Sequence, residues 1–263
     1  MKKKDALKEI IAKKKERLAA LKLLVPEDIQ KVHAHDAAPP RLFIESLTKP
    51  KTISLIAEIK RASPSAGMIR ENFDHCEIAR LYQEAGAAAL SVLTEEDFFM
   101  GNPAYISEVK NAVSLPVLRK DFIFEPYQVY ESRALGADAI LLIADVLSKD
   151  ALTDLTGIAA DLGMDCLVEA HGEKDLKKVL SLKGPVIIGI NNRDLRTLEV
   201  DFKTTERLFP LIPKNKAVVV ESGIKSAQDV LFLRILGVSA VLIGQAFMGA
   251  SDIRGKVEDI MGW

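Results

Sequence analysis

From Ser54 onward, short apolar runs alternate with longer stretches of mixed polarity, and the runs come in a recurring phrase. The segments EAGAAALSVL, ALGADAILLI, DLGMDCLVEA, LKGPVIIGIN and ILGVSAVLIG each end a helical stretch, place a glycine, and then open a continuous apolar run. The glycine supplies the left-handed turn that stops a helix. Gly86 to Gly136 spans 50 residues, Gly136 to Gly163 spans 27, Gly163 to Gly184 spans 21, and Gly184 to Gly237 spans 53. The unit is therefore about 25 residues, the length of one strand plus one helix. Eight strands are predicted: SLIAEIK, AALSVLT, PVLRKDF, AILLI, DCLVEA, PVIIGIN, AVVVESG and AVLIGQA. Continuous apolar strands alternating with helices mean a parallel sheet covered by helices. The predicted fold is α/β, a (β/α)8 TIM barrel, because eight units in about 210 residues fit a closed barrel. A doubly wound sheet would want GxGxxG after its first strand, where this chain reads KRASPSAG.

Before the barrel the pattern differs. Leu7, Ile10, Ile11, Lys14, Leu18 and Leu21 have helical spacing and predict an amphipathic helix. VHAHDAAPPR reads as a polar connector, with His33 and His35 as linker residues, and RLFIESL as a second short helix. The expected organisation is an N-terminal helical extension over 1–48, packed on a barrel domain over 49–263. The extension either docks over the barrel mouth or mediates dimers; a monomer is expected and a dimer stays open.

Composition changes this picture little. A chain of 263 residues, 48% hydrophobic and 28% charged, is ordinary for a globular protein. The net charge of −1 gives no reason to expect a nucleic-acid or membrane partner. The first 24 residues carry nine Lys or Arg against three Asp or Glu, a net +6 that leaves −7 for the rest. No aromatic is interleaved there, so the segment reads as a solvated basic face on a docked helix rather than an RNA arm. Charges interrupt the start throughout, which excludes a signal peptide. The longest uncharged run, Ile235 to Ser251, contains three glycines and Gln245 and reads as strand and loop. Cys76 and Cys166 lie far apart without metal-type spacing. A cytoplasmic location is expected.

The candidate chemistry lies at the strand ends. In a barrel, side chains alternate between lumen and helix layer, and reacting groups sit at the C-terminal ends of the strands. Glu58 and Lys60 share a face opposite Ala57 and Ile59. Leu118, Lys120 and Phe122 share another, as do Leu167 and Glu169, then Ile187, Gly189 and Asn191, then Val219 and Glu221. So many charges in a core cost too much unless they meet one another or a ligand. They are expected to converge on the floor of a site. The loops ESGI and IGQAF follow the last two strands, where this fold usually binds phosphate. Gly223 and Gly244 there leave backbone N–H groups open to an anion, and Ser63 in RASPS could add a hydroxyl.

With these residues in view, the chain closely resembles the indole-3-glycerol phosphate synthase family of tryptophan biosynthesis. The segments that carry the resemblance are AEIKRASPSAG, SVLTEEDFFMG, LRKDFI, LGADAILLI, LVEAH, GINNRDL, VVESGI and LIGQAFM, from about residue 54 to 248. The resemblance implies ring closure of a carboxyphenylamino-deoxyribulose 5-phosphate, with loss of CO2 and then water, and no cofactor or metal. It implies Lys120 as the general acid on the carbonyl, Glu169 as the acid/base of the dehydration, and Lys60 as the holder of the substrate carboxylate. Glu58, Asn191, Glu221 and Ser222 are implied to bind substrate and orient these groups. Ser63, Gly223, Gly244 and Gln245 are implied in phosphate binding, Phe99, Phe122 and Leu141 in lining the aromatic pocket, and Arg193 in supporting the site. A lowered pKa is expected to make Lys120 a ready donor. Ala66 departs from the lysine many members carry, with Arg70 as a possible replacement. Asn102-Pro103 and the FMGAS tail depart as well. A related isomerase would want a Cys/Asp pair at strand ends, and Cys166 starts its strand rather than ending it. The other alternative, a non-catalytic phosphometabolite sensor, predicts binding without turnover.

Overall fold

The computed structural model describes residues 5–49 and 52–263. Eight parallel strands close into a barrel: β1 (Ser54–Ile59), β2 (Ala89–Leu93), β3 (Val117–Lys120), β4 (Ala139–Ile143), β5 (Asp165–Ala170), β6 (Ile187–Asn191), β7 (Val218–Glu221) and β8 (Ala240–Ile243). Each strand pairs with its sequence neighbour, and β8 closes on β1. A two-residue antiparallel ladder, Ala62–Ser63 with Gly67–Met68, folds the loop after β1 back on itself.

The period-2 alternation of the strands sorts their side chains into two apolar layers. Ile56, Leu118, Leu141, Leu167, Ile187, Val219 and Leu242 fill the lumen. Leu55, Ala57, Leu90, Val92, Ile140 and Val168 face the helices. Four of the glycines predicted to end helices do so, Gly86, Gly136, Gly163 and Gly237, all with positive φ; Gly184 also has positive φ but lies in the loop after a helix that already ends at Leu180. That conformation is costly for any residue with a Cβ.

The extension holds three helices, α1 (Ala6–Leu24), α2 (Glu27–Asp36) and α3 (Phe43–Leu47). Leu7 and Ile10 of α1, and Phe43 and Leu47 of α3, belong to the same apolar cluster as the lumen residues. Burying each such side chain contributes about 1.5–3 kcal/mol. At the α3 end, the Ile44 N–H donates to Asp165 Oδ2 (2.8 Å), beside the start of β5. On α1, the buried Lys14 donates to the buried Asp121 (2.7 Å), one residue past the end of β3. Arg17 adds a two-pronged contact to Asp97 in the loop after β2 (2.5 and 2.8 Å). The helix therefore docks at the mouth end of the barrel.

The stretch VHAHD is helical rather than a connector, so His33 and His35 stand in the last turn of α2. Nothing between Pro26 and Pro39 breaks a helix. Gln30 and Ala34, one turn apart, are buried. The helix packs on Pro126–Ala134, where Lys31 lies over the Tyr130 ring (5.4 Å) and Arg133 donates to the Ala37 carbonyl (2.9 Å). Composition alone could not show that docking partner.

Candidate active site

A cavity of about 520 Å³ opens at the C-terminal ends of the strands. The residues given catalytic or substrate-binding roles from the sequence line it: Glu58, Lys60 and Ser63 around β1, Phe99 after β2, Lys120 and Phe122 on and after β3, and Leu141 on β4. Glu169, Asn191 with Arg193, Glu221 with Ser222 and Gly223, and Gly244 with Gln245 complete the ring from β5 to β8. Register explains the convergence. Glu169 stands level with Gly189, and Asn191 with Glu221, in adjacent strands.

Two glycines make room for the carboxylates. A Cβ on Gly189 would lie 3.0 Å from Glu221 Oε1 and 3.3 Å from the Glu169 backbone. One on Gly244 would lie 2.3 Å from Glu58 Oε2 and 2.8 Å from its Cβ. Any other residue at 244 would push Glu58 out of place. Ser222 (φ 64°) and Gly223 (φ 83°) are both left-handed, which turns the backbone sharply at the cavity wall after β7. For a serine this conformation costs about 1–3 kcal/mol.

The charges are paired but not evenly. Lys60 pairs with Glu58. Lys120 pairs with Glu221 and lies 3.4 Å from Glu169 Oε2. Asn191 donates to Glu169 Oε1 (3.0 Å), and its own oxygen is fixed by the Arg193 N–H (2.9 Å). Burial works against the charge on Lys120, but Glu221, Glu169 and Glu58 outweigh it and raise its pKa. This corrects the expectation of a lowered value, which supposed a lysine among other cations rather than among carboxylates. Burial pushes Glu221 up to about 7, with Glu169 and Glu58 reinforcing it and Lys120 opposing. Burial also works to raise Glu169, but Lys120, His171 and Asn191 outweigh it and hold it at about 2. Two neighbouring carboxyls thus titrate far apart, the arrangement that separates acid from base roles. Among the described residues, Glu221 Oε1 is buried without a hydrogen-bond partner and stands open to a proton or a ligand.

The aromatic side is organised by Glu95, whose buried carboxylate accepts the N–H groups of Asp97, Phe98 and Phe99 (3.1, 2.8 and 3.0 Å). That ties down the loop bearing Phe99, whose ring lies 6.1 Å from Phe122. Arg70 does not line the cavity. Its guanidinium donates to the carbonyls of Met248 and Ala250 (3.2 and 2.9 Å) and so anchors the FMGAS tail.

Several participants were not singled out from the sequence, Glu95 and Lys225 among them. Ile10 reaches the cavity from α1, which only docking reveals. Lys256 reaches it from the last helix, Ile253–Met261. His171 lies against Glu169, and Asp145 against His171. For His171 a signal existed: it lies two residues beyond Glu169, on the same strand parity that singled out the pair Glu58 and Lys60. Among the described residues, no group of three or more His, Cys, Asp or Glu side chains forms a metal-type cluster.

A family model described as indole-3-glycerol phosphate synthase matches residues 7–260. The chain is 48% identical over 256 residues to the indole-3-glycerol phosphate synthase of Neisseria meningitidis, spanning 96% of this chain and 98% of that one. It is 51% identical over 254 residues to the protein of the same name from Caldanaerobacter subterraneus, spanning 95% and 96%. Among solved structures it is similar to 3-hexulose-6-phosphate synthase from Salmonella typhimurium (TM-score 0.65, 13% identity, 80% and 97% covered). A chain of the Pyrococcus furiosus tryptophan synthase complex is also similar (TM-score 0.58, 17% identity, 82% and 100% covered). These two show a likeness of fold alone.

Proposed function

The chain belongs to the indole-3-glycerol phosphate synthase family, and from that premise we propose how its cavity divides the work of the reaction. The enzyme is a carbon–carbon lyase of tryptophan biosynthesis. It converts 1-(2-carboxyphenylamino)-1-deoxy-D-ribulose 5-phosphate to indole-3-glycerol phosphate by ring closure, decarboxylation and dehydration.

The flexible substrate is held at both ends, which converts chain motion into an attack geometry. Its phosphate takes the end formed by Ser63, the Ser222–Gly223 turn, Gly244 and Gln245, with Arg193 donating to Gln245 in support (3.3 Å). Lys225, two residues past Gly223, brings cationic charge there that Ala66 does not. The ring carboxylate pairs with Lys60, which Glu58 orients. The aromatic ring rests among Phe99, Phe122 and Leu141.

As the ring carbon attacks the carbonyl, charge develops on the carbonyl oxygen. The Lys120 ammonium neutralises it by donating a proton. Loss of CO2 restores the aromatic ring. Glu169, held as a carboxylate by Lys120, His171 and Asn191, then takes the proton lost in the dehydration and passes it to the departing hydroxyl, which leaves as water. Asn191, Glu221 and Ser222 hold these groups in register. Support for this reading comes chiefly from one observation: Lys120 lies among three cavity carboxylates, Glu221, Glu169 and Glu58, with Lys60 lining the same cavity.

Every residue named comes from one chain, so a monomer is sufficient. Two free cysteines fit the reducing cytoplasm as its setting. Lys120→Ala should lower turnover about 10²-fold or more, followed by the growth of indole absorbance. Near-normal turnover by that variant would remove Lys120 from the acid role.

A further inference from the structure

The geometry points to His171 as a positioning residue for the reaction: its ring, clamped between the carboxylates of Asp145 and Glu169, holds Glu169 as an oriented carboxylate beside the reacting atoms. The inference rests on the reading of Glu169 as the base of the dehydration.

His171 follows the last residue of β5, touches Glu169, and is not among the cavity-lining residues. It therefore acts on Glu169 and not on the substrate. Its Nδ1 lies 2.8 Å from Asp145 Oδ2, and its Nε2 lies 3.2 Å from Glu169 Oε1. The second contact is charge pairing rather than an aligned hydrogen bond, since Nε2 is buried and has no hydrogen-bond partner of good geometry. Asp145 is itself fixed. It sits in the loop after β4, and Lys178 donates to the Ala144 and Leu147 carbonyls of that loop (3.2 Å for the latter).

The charged groups around the ring settle its state. Asp145 and Glu169 face it directly. Arg196 is 3.9 Å from the far oxygen of Asp145, and Lys178 is engaged with the loop carbonyls and with Asp175 (2.9 Å). Lys120 is reached only through Glu169. Burial works to lower the His171 pKa, but the two carboxylates outweigh it and carry it up to about 10. The ring is an imidazolium at neutral pH.

The chemistry explains why a third cation is needed. Glu169 and Glu221 share a buried site, where two carboxylates would otherwise hold a proton between them. Lys120 compensates both, yet its proton is the one given to the substrate carbonyl. Once Lys120 is neutral, His171 still offers Glu169 a positive charge, because its own proton is not consumed.

The test compares His171→Gln, Asp145→Asn, Glu169→Gln and the double variant His171→Gln/Glu169→Gln, each across pH 3–9. His171→Gln is expected to lower kcat roughly tenfold or more while KM changes by less than about twofold. It should also bring an acid limb into the kcat profile, moved up by about two pH units from about 2 as Glu169 becomes easier to protonate. Asp145→Asn should move the limb the same way by less. In the Glu169→Gln background the histidine substitution should change kcat by less than about twofold, because its effect travels through that carboxylate. A pH profile of unchanged shape, or fully additive losses, would overturn the inference. Should Glu169→Gln itself keep near-normal turnover, the base assignment fails instead. A measurement on the unaltered enzyme guards against misfolded variants: nitrogen NMR shifts should show the His171 ring doubly protonated at pH 8, and a neutral ring there refutes the clamp.

Discussion

At the scale of single residues, the site works by splitting like groups. Glu169 and Glu221 are both buried strand-end glutamates, yet one stands at about 2 and the other at about 7. The difference lies in their partners. Glu169 has Lys120, His171 and Asn191, whereas Glu221 has Lys120 alone and one oxygen without any partner. Glu221 therefore changes charge in the working pH range. The kcat/KM profile should show an ionisation near pH 7 that Glu221→Gln abolishes. Persistence of that limb in the variant would assign it to another group.

At the scale of elements, α1 is tied to the reacting strand by one buried pair. Lys14 reaches Asp121, which also receives Thr94 (2.6 Å) and Arg119 (3.0 Å), and Arg119 in turn reaches Glu131 (2.7 Å) on the next helix. Asp121 sits between Lys120 and Phe122, so the network sets β3 where its end meets the cavity. Breaking a lone buried pair costs about 3–5 kcal/mol; here Arg119 and Thr94 keep the carboxylate satisfied, so Lys14→Met should cost about 2 kcal/mol. Urea unfolding measures that loss. A raised KM should accompany it, because Ile10 on the same helix lines the cavity. An unchanged unfolding midpoint would mean that α1 is held by its apolar face alone.

At the scale of the whole molecule, the displaced carboxyls and His171 predict how stability follows pH. Burial works to raise Asp121, but Lys14, Arg119 and Thr94 outweigh it and hold it at about 2. Asp121 and Glu169 have folded values below their unfolded ones. Their contribution is present above roughly pH 4 and is lost as pH falls toward about 2. His171 is raised, so its contribution is full below its unfolded value of 6.5 and fades as pH climbs toward about 10. Glu221 is raised as well, which favours the fold at low pH and weakens it as pH climbs from about 4.5 to about 7. Stability should therefore peak between roughly pH 4 and 5 and decline above that as Glu221 ionises. Urea midpoints taken from pH 3 to 9 check this, and a peak above pH 8 would contradict the assignments.

What the chain settles by itself is local and periodic. A strand–helix unit of about 25 residues, glycines that end helices, and alternation along each strand are written in neighbouring letters. From them the eight strands, the closed barrel and the polar residues lining its mouth were all legible. Helix α2 was not, because its apolar stripe is short and its support is a helix a hundred residues away. The electrostatics were not legible either. Lys120 is raised rather than lowered, Arg70 holds carbonyls rather than the cavity, and Lys14 and His171 belong to buried pairs. Charge interactions depend on distances between residues far apart in sequence, and those distances exist only once the barrel has closed.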